Sequence, residues 1–315
     1  MAAHLFKLFV SGVSITDSFT SLLVADAHLH STYSDGKLDP SELLLLGGTR
    51  GLDLVAITDH NTTAGSLAAF REWRPDQTGP CPVPAQEIST EERLHLLVYG
   101  LQMDLGAVKF DMLPSLLRRA LDFGGAVVLA HPWSIQERPG ALAAAEDLAR
   151  VGLIQGVELI SAAMFYEEFG SWRRAFLWYR ERLAHYGLAM LGGSDFHDHS
   201  QGYAIGIART LYRGRPGGTG DFVAAILAGK TAAWIDEPLL IEHGLVSRFR
   251  RETADLADGP WEGIFASPDM LTEIRTAMGG PSGRMDPKFF CGLGRNWGHC
   301  GELWVNVGDS GSESG

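Results

Sequence analysis

The chain predicts an α/β fold assembled from strand–helix units, and three observations carry that expectation. Short apolar runs alternate with segments of helical period from about Leu22 to about Trp234. Residues able to bind a cation recur where those runs end, the position at which (β/α) barrels gather their working side chains. A chain of 315 residues with 45% hydrophobic content can bury one substantial core.

In order, the first run (residues 23–30) carries Asp26, His28 and His30. Asp39-Pro40-Ser41-Glu42 then reads as an N-cap, a proline at the first helical position and an acidic first turn, with Gly51 as the stop. Gly47 and Gly48 inside that helix each cost about 1 kcal/mol relative to Ala, which argues for a shorter helix. A run over 53–60 leads into Thr58-Asp59-His60-Asn61, followed by a helix from Thr62 to Trp73. Runs over 82–88 and 95–101 carry Glu87 and His95. A helix from Asp111 to Phe123 precedes the run 126–131, which delivers His131-Pro132. Helices over Ala141–Val151 and Phe165–Tyr186 bracket the run 156–161, and the run 188–194 leads to Asp195 and His197. A run over 207–213 and a helix from Thr219 to Ala228 close the series. The aromatic set Phe165, Tyr166, Phe169, Trp172, Phe176, Trp178 and Tyr179 recurs at roughly helical spacing and predicts packing against the core.

Nine side chains stand out as candidate metal ligands: His28, His30, Asp35, His60, Glu87, His95, His131, Asp195 and His197. On a strand, side chains two apart share a face, so His28 and His30 can point at one ion while Asp35 returns from the following loop. Six of the eleven histidines fall at these strand-end positions, which chance placement explains poorly. Carboxylates mixed with imidazoles suit Mn, Fe or Zn better than Ca or Mg. With no cysteine among them, the set is unlike a closed structural zinc site. His199 lies just past this pattern and reads as solvent-facing, while His4, His185, His243 and His299 read as structural or exposed.

On these residues the chain resembles the PHP (polymerase and histidinol phosphatase) family of metal-dependent hydrolases. The resemblance rests on Asp26-Ala27-His28-Leu29-His30-Ser31-Thr32-Tyr33-Ser34-Asp35-Gly36, Thr58-Asp59-His60, Glu87 followed by the strand-borne His95, His131-Pro132, and Gly193-Ser194-Asp195-Phe196-His197. It implies a distorted seven-stranded (β/α) barrel of PHP type holding two to three divalent ions. By that resemblance His28, His30, Glu87 and Asp195 bind a first ion, Glu87 bridges to a second bound by His95 and His131, and Asp35, His60 and His197 hold a third. The implied activity is hydrolysis of a small phosphorylated substrate, a phosphomonoester or phosphodiester, by hydroxide bridging the ions. Asp195, His197 and His60 are then the expected catalytic groups, His197 and His60 as proton donors as well as ligands. Asp59 is expected to orient an imidazole, and Tyr33, Arg209 and Arg213 to meet a substrate phosphate.

Two other readings remain open. The segment from Ile205 to Tyr212 and on through Ala225 to Thr231 is similar to the closing strand and helix of the CehA/McbA-like branch, which resembles carbaryl-type carbamate hydrolases and uses the same ligands on carboxyl esters and carbamates. Only 35 residues separate His95 from His131, too few for the insertion of the nucleotide-phosphatase branch, and Ser161 stands where relatives often carry Asn. A non-catalytic, metal-bound scaffold is the third reading, disfavoured because all nine ligands are retained.

A formal charge of -12 argues against long nucleic acid as the main partner, since backbone binding needs Lys and Arg to neutralise phosphates. It leaves a small phosphorylated molecule open, because divalent ions make their own site positive. Cys81, Cys291 and Cys300 are too few and scattered for a disulfide framework, which favours a reducing, cytoplasmic compartment. No stretch is long and apolar enough to span a bilayer, and the patch around Leu8-Phe9-Val10, with only Lys7 basic, is a poor secretory signal. The expected organisation is an N-terminal extension (1–21), a metallohydrolase domain (22–241) and a C-terminal extension (242–315) without assigned function. Within that extension Arg248, Arg250 and Arg251 read as a solvated basic cluster, Leu271–Met278 as a short helix and Gly308–Gly315 as a disordered end.

Overall fold

In the computed structural model the described residues are 21–74, 79–91, 93–106, 109–165, 169–198 and 205–236, with 239, 244, 245, 264–266, 270 and 272–274 beyond them. The expectations for Tyr166, His199, His4, His243, His299, Cys291, Cys300, the Arg248–Arg251 cluster and the two chain ends lie outside these residues.

Strand β1 (Ser21–Leu29) is buried from Leu22 onward, so both of its faces are covered and its sequence shows little polar alternation. It pairs parallel with β2 (Leu54–Ile57) and antiparallel with β9 (Ala208–Gly214). Between β1 and β2 runs α1 (Pro40–Thr49), whose Asp39 side chain accepts from the Ser41 and Glu42 amides while Glu42 accepts from the Asp39 amide. The helix passes through Gly47 and Gly48 to Thr49. A Cβ at Gly47 would stand 2.7 Å from Val55 Cγ2, so the missing side chain lets α1 lie close on β2. Helix α2 (Ala64–Glu72) follows β2.

The expected strand over 82–88 is two strands. Cys81–Val83 (β3) pairs parallel with β2, Ala85–Ser89 (β4) pairs antiparallel with β5 (His95–Tyr99), and Pro84, which has no N–H to give a ladder, marks the switch between sheets. Helix α3 (Leu113–Asp122), strand β6 (Ala126–Leu129), helix α4 (Pro139–Arg150), strand β7 (Gly156–Ser161), helix α5 (Phe169–Arg182) and strand β8 (Ala189–Gly193) continue the alternation. After β9 come α6 (Thr219–Leu227), β10 (Thr231–Ile235) and β11 (Ile264–Ala266).

These strands form two mixed sheets, one of six strands in the order β11-β10-β9-β1-β2-β3 and one of five in the order β4-β5-β6-β7-β8. The expected seven-stranded count is therefore replaced, among the described residues, by eleven strands in two sheets. The sheets share an interior of mostly small residues, with Ala25, Ala27, Ala56, Ala85, Ala126 and Ala189 beside Leu97, Val128 and Leu191. The Tyr99 hydroxyl crosses this interior to donate to the Ala27 carbonyl at 2.8 Å. On the outside, α3, α4 and α5 cover β5, β6 and β7 with a second apolar cluster that includes Trp172, Phe165 and Tyr179.

At one end the two sheets meet through short parallel bridges, Leu29 with Phe196 and His60 with Glu87. There the Asp195 amide donates to the His28 carbonyl at 2.8 Å, the His30 amide to Phe196 at 3.0 Å, and the Asn61 amide to Glu87 at 2.7 Å. At this end the residues that stitch the sheets together are the candidate ligands or their immediate neighbours. Strand β11 pairs antiparallel with β10, and Met270 and Ile274 are buried with Leu22 and Val24, so part of the expected C-terminal extension belongs to this core.

Candidate metal centre

His28 and His30 leave β1 on one face, and their Nε2 atoms stand 3.0 Å apart. Glu87, in the middle of β4 where His60 bridges to it, places Oε2 at 3.2 Å from His28 Nε2 and 3.1 Å from His30 Nε2. Asp195, just past β8, places Oδ1 at 3.3 Å from each. N and O ligands about 2.1 Å from an ion have edges of about 3.0 Å in octahedral and about 3.4 Å in tetrahedral geometry. All five of these separations fall in that range.

The other carboxylate oxygen of Glu87, Oε1, lies 3.1 Å from His131 Nε2 and 2.8 Å from His95 Nδ1. The His95 contact has no hydrogen-bond geometry, and this buried nitrogen has no hydrogen-bond partner among the described residues. His60 Nδ1 is 3.3 Å from Glu87 Oε2 and 3.0 Å from the Ser89 hydroxyl. Toward solvent, Asp35 stands 3.4 Å from His197 Nε2, 3.5 Å from His30 Nδ1 and 3.7 Å from His60 Nε2. The His197 Nδ1–H donates to the Asp195 carbonyl at 2.9 Å, so in the neutral ring the Nε2 lone pair faces a carboxylate oxygen. Two acceptors face to face are relieved either by a cation between them or by a proton on Nε2. Three overlapping groups result: His28, His30 and Glu87; His60, Glu87 and His95; His30, Asp35, His60 and His197. The donor set and its spacing fit divalent ions. Asp195 approaches the first group and His131 the second, so all nine predicted side chains converge on one end of the fold.

Electrostatics follow the same layering. Burial alone would lower the three deep imidazoles, but the carboxylates outweigh it: Asp195, Glu158 and Glu87 hold His28 well above its ordinary value, Asp195 and Glu87 lift His30 to about 9, and Glu87 lifts His131 to about 9. Burial works the other way on Glu87 and Asp195, yet His28 leads the neighbours that hold both below the usual carboxylate range. The His197 hydrogen bond does the same for Asp35. For His60 burial wins over Glu87 and Asp35 and brings it down to about 4, which leaves an uncharged imidazole at neutral pH. That form is able to bind a metal through its free ring nitrogen. Two groups sit on strained backbone, His131 at φ 23° and Asp195 at φ 53°.

The expected substrate contacts are placed differently. Arg209 is buried; its Nη2 meets Asp236 Oδ2 at 2.6 Å and donates to the Arg50 carbonyl, its Nε donates to Gly206, and its guanidinium stacks over Trp234. These contacts tie β9 to the segment after β10, and Arg209 is corrected from a substrate group to a strut. Arg213 Nε donates to Glu273 at 3.0 Å. Tyr33 is half-exposed and lines a cavity of about 460 Å³ with Thr32, Asp39, Ser41 and Glu72, acidic surroundings ill suited to a phosphate. Among the described residues the Asp59 carboxylate meets no imidazole; it accepts from the Ser31 amide and hydroxyl, each at 2.7 Å, and from the Ser34 hydroxyl at 2.8 Å. Asp26, pushed up to about 6 by burial against hydrogen bonds from Ser194, Gly206 and His28, anchors the loops beside the site. Glu158 went unnoticed in the sequence, although a lone acid inside Gly-Val-Glu-Leu-Ile-Ser is a signal that something must partner it.

No protein-family model matches the chain. It is 30% identical over 135 residues to the 5′-3′ exoribonuclease Rnm of Escherichia coli, covering 42% of this chain and 45% of that one. It is 33% identical over 84 residues to the phosphoribosyl 1,2-cyclic phosphate 1,2-diphosphodiesterase of Eggerthella lenta, covering 25% of this chain and 32% of that one. The match thus spans less than half the length of these curated relatives. A two-domain protein from Bacteroides vulgatus containing a predicted PHP-like metal-dependent phosphoesterase superposes with a TM-score of 0.51 at 19% identity, over 69% of this chain and 66% of that one. The shared feature at that identity is the fold.

Proposed function

We propose that the chain is a metal-dependent phosphoesterase of the PHP type. The observation that carries this is the convergence of four donor atoms, from His28, His30, Glu87 and Asp195, at separations suited to one ion, with a second and third group sharing Glu87, His30 and His60. The likeness to two phosphodiester-cleaving enzymes and to a PHP-like fold supports the same reading.

His28, His30, Glu87 and Asp195 would hold one ion, Glu87, His95, His131 and His60 a second, and Asp35, His60 and His197 a third. Bound Mn, Zn or Fe would supply an activated water and a clamp on the phosphoryl oxygens. The chain's own contribution is placement. Glu87 offers one oxygen to each of the two inner groups and fixes their spacing, while Asp35, 55% exposed against 0% for His28, sets the open side on which a substrate enters. His197, with its Nδ1–H tied to the Asp195 carbonyl, keeps a fixed orientation at that open side.

Within phosphoesters the substrate reading is broader than the charge of the chain implies. The exoribonuclease likeness supports a short oligonucleotide as well as a small phosphorylated molecule. The test is turnover by the Mn- or Zn-loaded protein on p-nitrophenyl phosphate, bis-p-nitrophenyl phosphate, a short 5′-phosphorylated RNA and 1-naphthyl N-methylcarbamate. Hydrolysis of a phosphoester is expected. Hydrolysis of the carbamate alone would move the chain to the carbamate branch, and bound metal with no turnover would make it a scaffold.

A further inference from the structure

Glu158 sits in the middle of β7 with no exposed surface, flanked by apolar residues. A buried carboxylate is tolerated only when paired or hydrogen-bonded. Its partners among the described residues are two, and both belong to the metal centre. His28 Nδ1 lies 3.3 Å from each carboxylate oxygen, and the His131 backbone N–H donates to Oε2 at 2.8 Å. Glu158 is in none of the ligand groups and meets the edge of the His28 ring opposite to the one that faces His30, Glu87 and Asp195.

Space for this contact is built into the neighbouring strand. A Cβ at Gly193 would stand 2.5 Å from His28 Cβ and 2.9 Å from Glu158 Oε1, so only a residue without a side chain leaves room for the pair. The pairing of β7 with β8 also shifts register between Glu158 and Ile160.

We propose that Glu158 is a positioning residue that sets the tautomer of His28 and pins the backbone of His131. Accepting the Nδ1–H leaves the His28 Nε2 lone pair directed at the ion, and a carboxylate there also makes the imidazole a stronger ligand. The second oxygen holds the strained His131 backbone, whose ring reaches Glu87 Oε1. One carboxylate thereby orders a ligand in each of the two inner groups from outside both. The inference rests on the metal-centre reading and goes beyond it by assigning this residue.

The test is Glu158→Gln, which keeps the volume. Its amide oxygen can still accept from His131, but its NH2 group faces His28 Nδ1 and favours the tautomer with the proton on Nε2, which cannot bind metal. Zinc affinity measured by competition with a chromophoric chelator should fall about 10- to 100-fold, with far-UV circular dichroism and the melting temperature in EDTA unchanged. Wild-type affinity in the folded variant would overturn the proposal alone. A wild-type protein that binds no zinc would overturn the metal-centre reading and the proposal with it. Should the variant fail to fold, 15N-imidazole spectra of the zinc-loaded wild type decide: a metal-bound ring with a protonated, slowly exchanging Nδ1 and a cross-peak to the His131 amide is expected, and its absence overturns the assignment.

Discussion

Asp59 shows how a residue outside the ligand set can govern it. Its buried carboxylate takes hydrogen bonds from the Ser31 amide and hydroxyl and from the Ser34 hydroxyl, and the same Ser34 oxygen lies 3.2 Å from Asp35, the most exposed of the nine candidate ligands. Gly65 leaves it room, since a Cβ there would collide with Asp59 Oδ2. Asp59→Asn should therefore lower the number of ions retained after gel filtration while leaving the buried group filled, as read by metal analysis; full retention would show that the loop holds itself. Glu87→Ala acts on every group, because Glu87 faces five imidazoles. It should lose more than about 100-fold in zinc affinity, beyond the usual effect of an outer-shell partner, and turnover should vanish with it. The nine candidate ligands could be picked out of the sequence because strand ends and two-residue spacing mark most of them, and the structure brings them to one end of the fold. Glu158 could not be, since one acid in an apolar run has no spacing partner to announce its role. Arg209 was misread for a related reason: nothing local shows that its guanidinium will be claimed by Asp236, beyond the next helix.

At the scale of the element, helix ends were easier to read than strand partners. Asp39, Pro40 and Glu42 specify the start of α1 by local chemistry, and all of that chemistry is present. Asp39→Ala should cost about 1 kcal/mol in urea unfolding. Hydrogen bonds from the Ser41 hydroxyl and the Glu42 amide hold the Asp39 carboxyl below its ordinary value. A depressed folded value means the cap contributes fully above the unfolded carboxyl pKa of about 3.9 and is lost as pH falls through the lower folded value. The difference between wild type and variant should accordingly be constant from neutral pH to about pH 5 and shrink below about pH 4; a constant difference at pH 3 would mean that ionisation of Asp39 is not what caps the helix. Pro84 is the contrary case. A single run over 82–88 looked continuous by hydrophobicity, whereas the absent N–H lets β3 and β4 join different sheets. Strands β10 and β11 were missed because each is short and neither Thr-Ala-Ala-Trp-Ile nor Ile-Phe-Ala shows the polar alternation that marks a strand.

For the whole molecule, the sequence conveyed the α/β class and the clustering of ligands at one end, while the division into two sheets depends on pairings between remote segments. Net charge was a weaker guide to partners: -12 spread over the chain argued against nucleic acid, yet likeness to exoribonucleases keeps a short RNA among the substrates we propose, because the local field of bound ions need not follow the global sum. The position of the candidate site also ties metal binding, as proposed, to stability. His28 lies in β1 of one sheet and His30 just past it, Glu87 and His131 come from the other, and Asp195 donates its amide back to β1. An ion shared by these groups would clamp the two sheets at the end where short bridges join them. Ligands that bind the folded state alone stabilise it by RT ln(1 + [L]/Kd), about 2.7 kcal/mol at 100-fold excess over Kd, which for a domain of this size corresponds to roughly 5–10 °C in melting temperature. Stripping the protein with EDTA should lower the melting temperature by that amount, and added Mn or Zn should restore it. The gain should shrink as pH falls through the imidazole range, since the ligands must lose their protons to bind metal. A melting temperature indifferent to chelator at pH 7.5 would mean that the nine side chains hold no ion in common, and the phosphoesterase reading would fall with them.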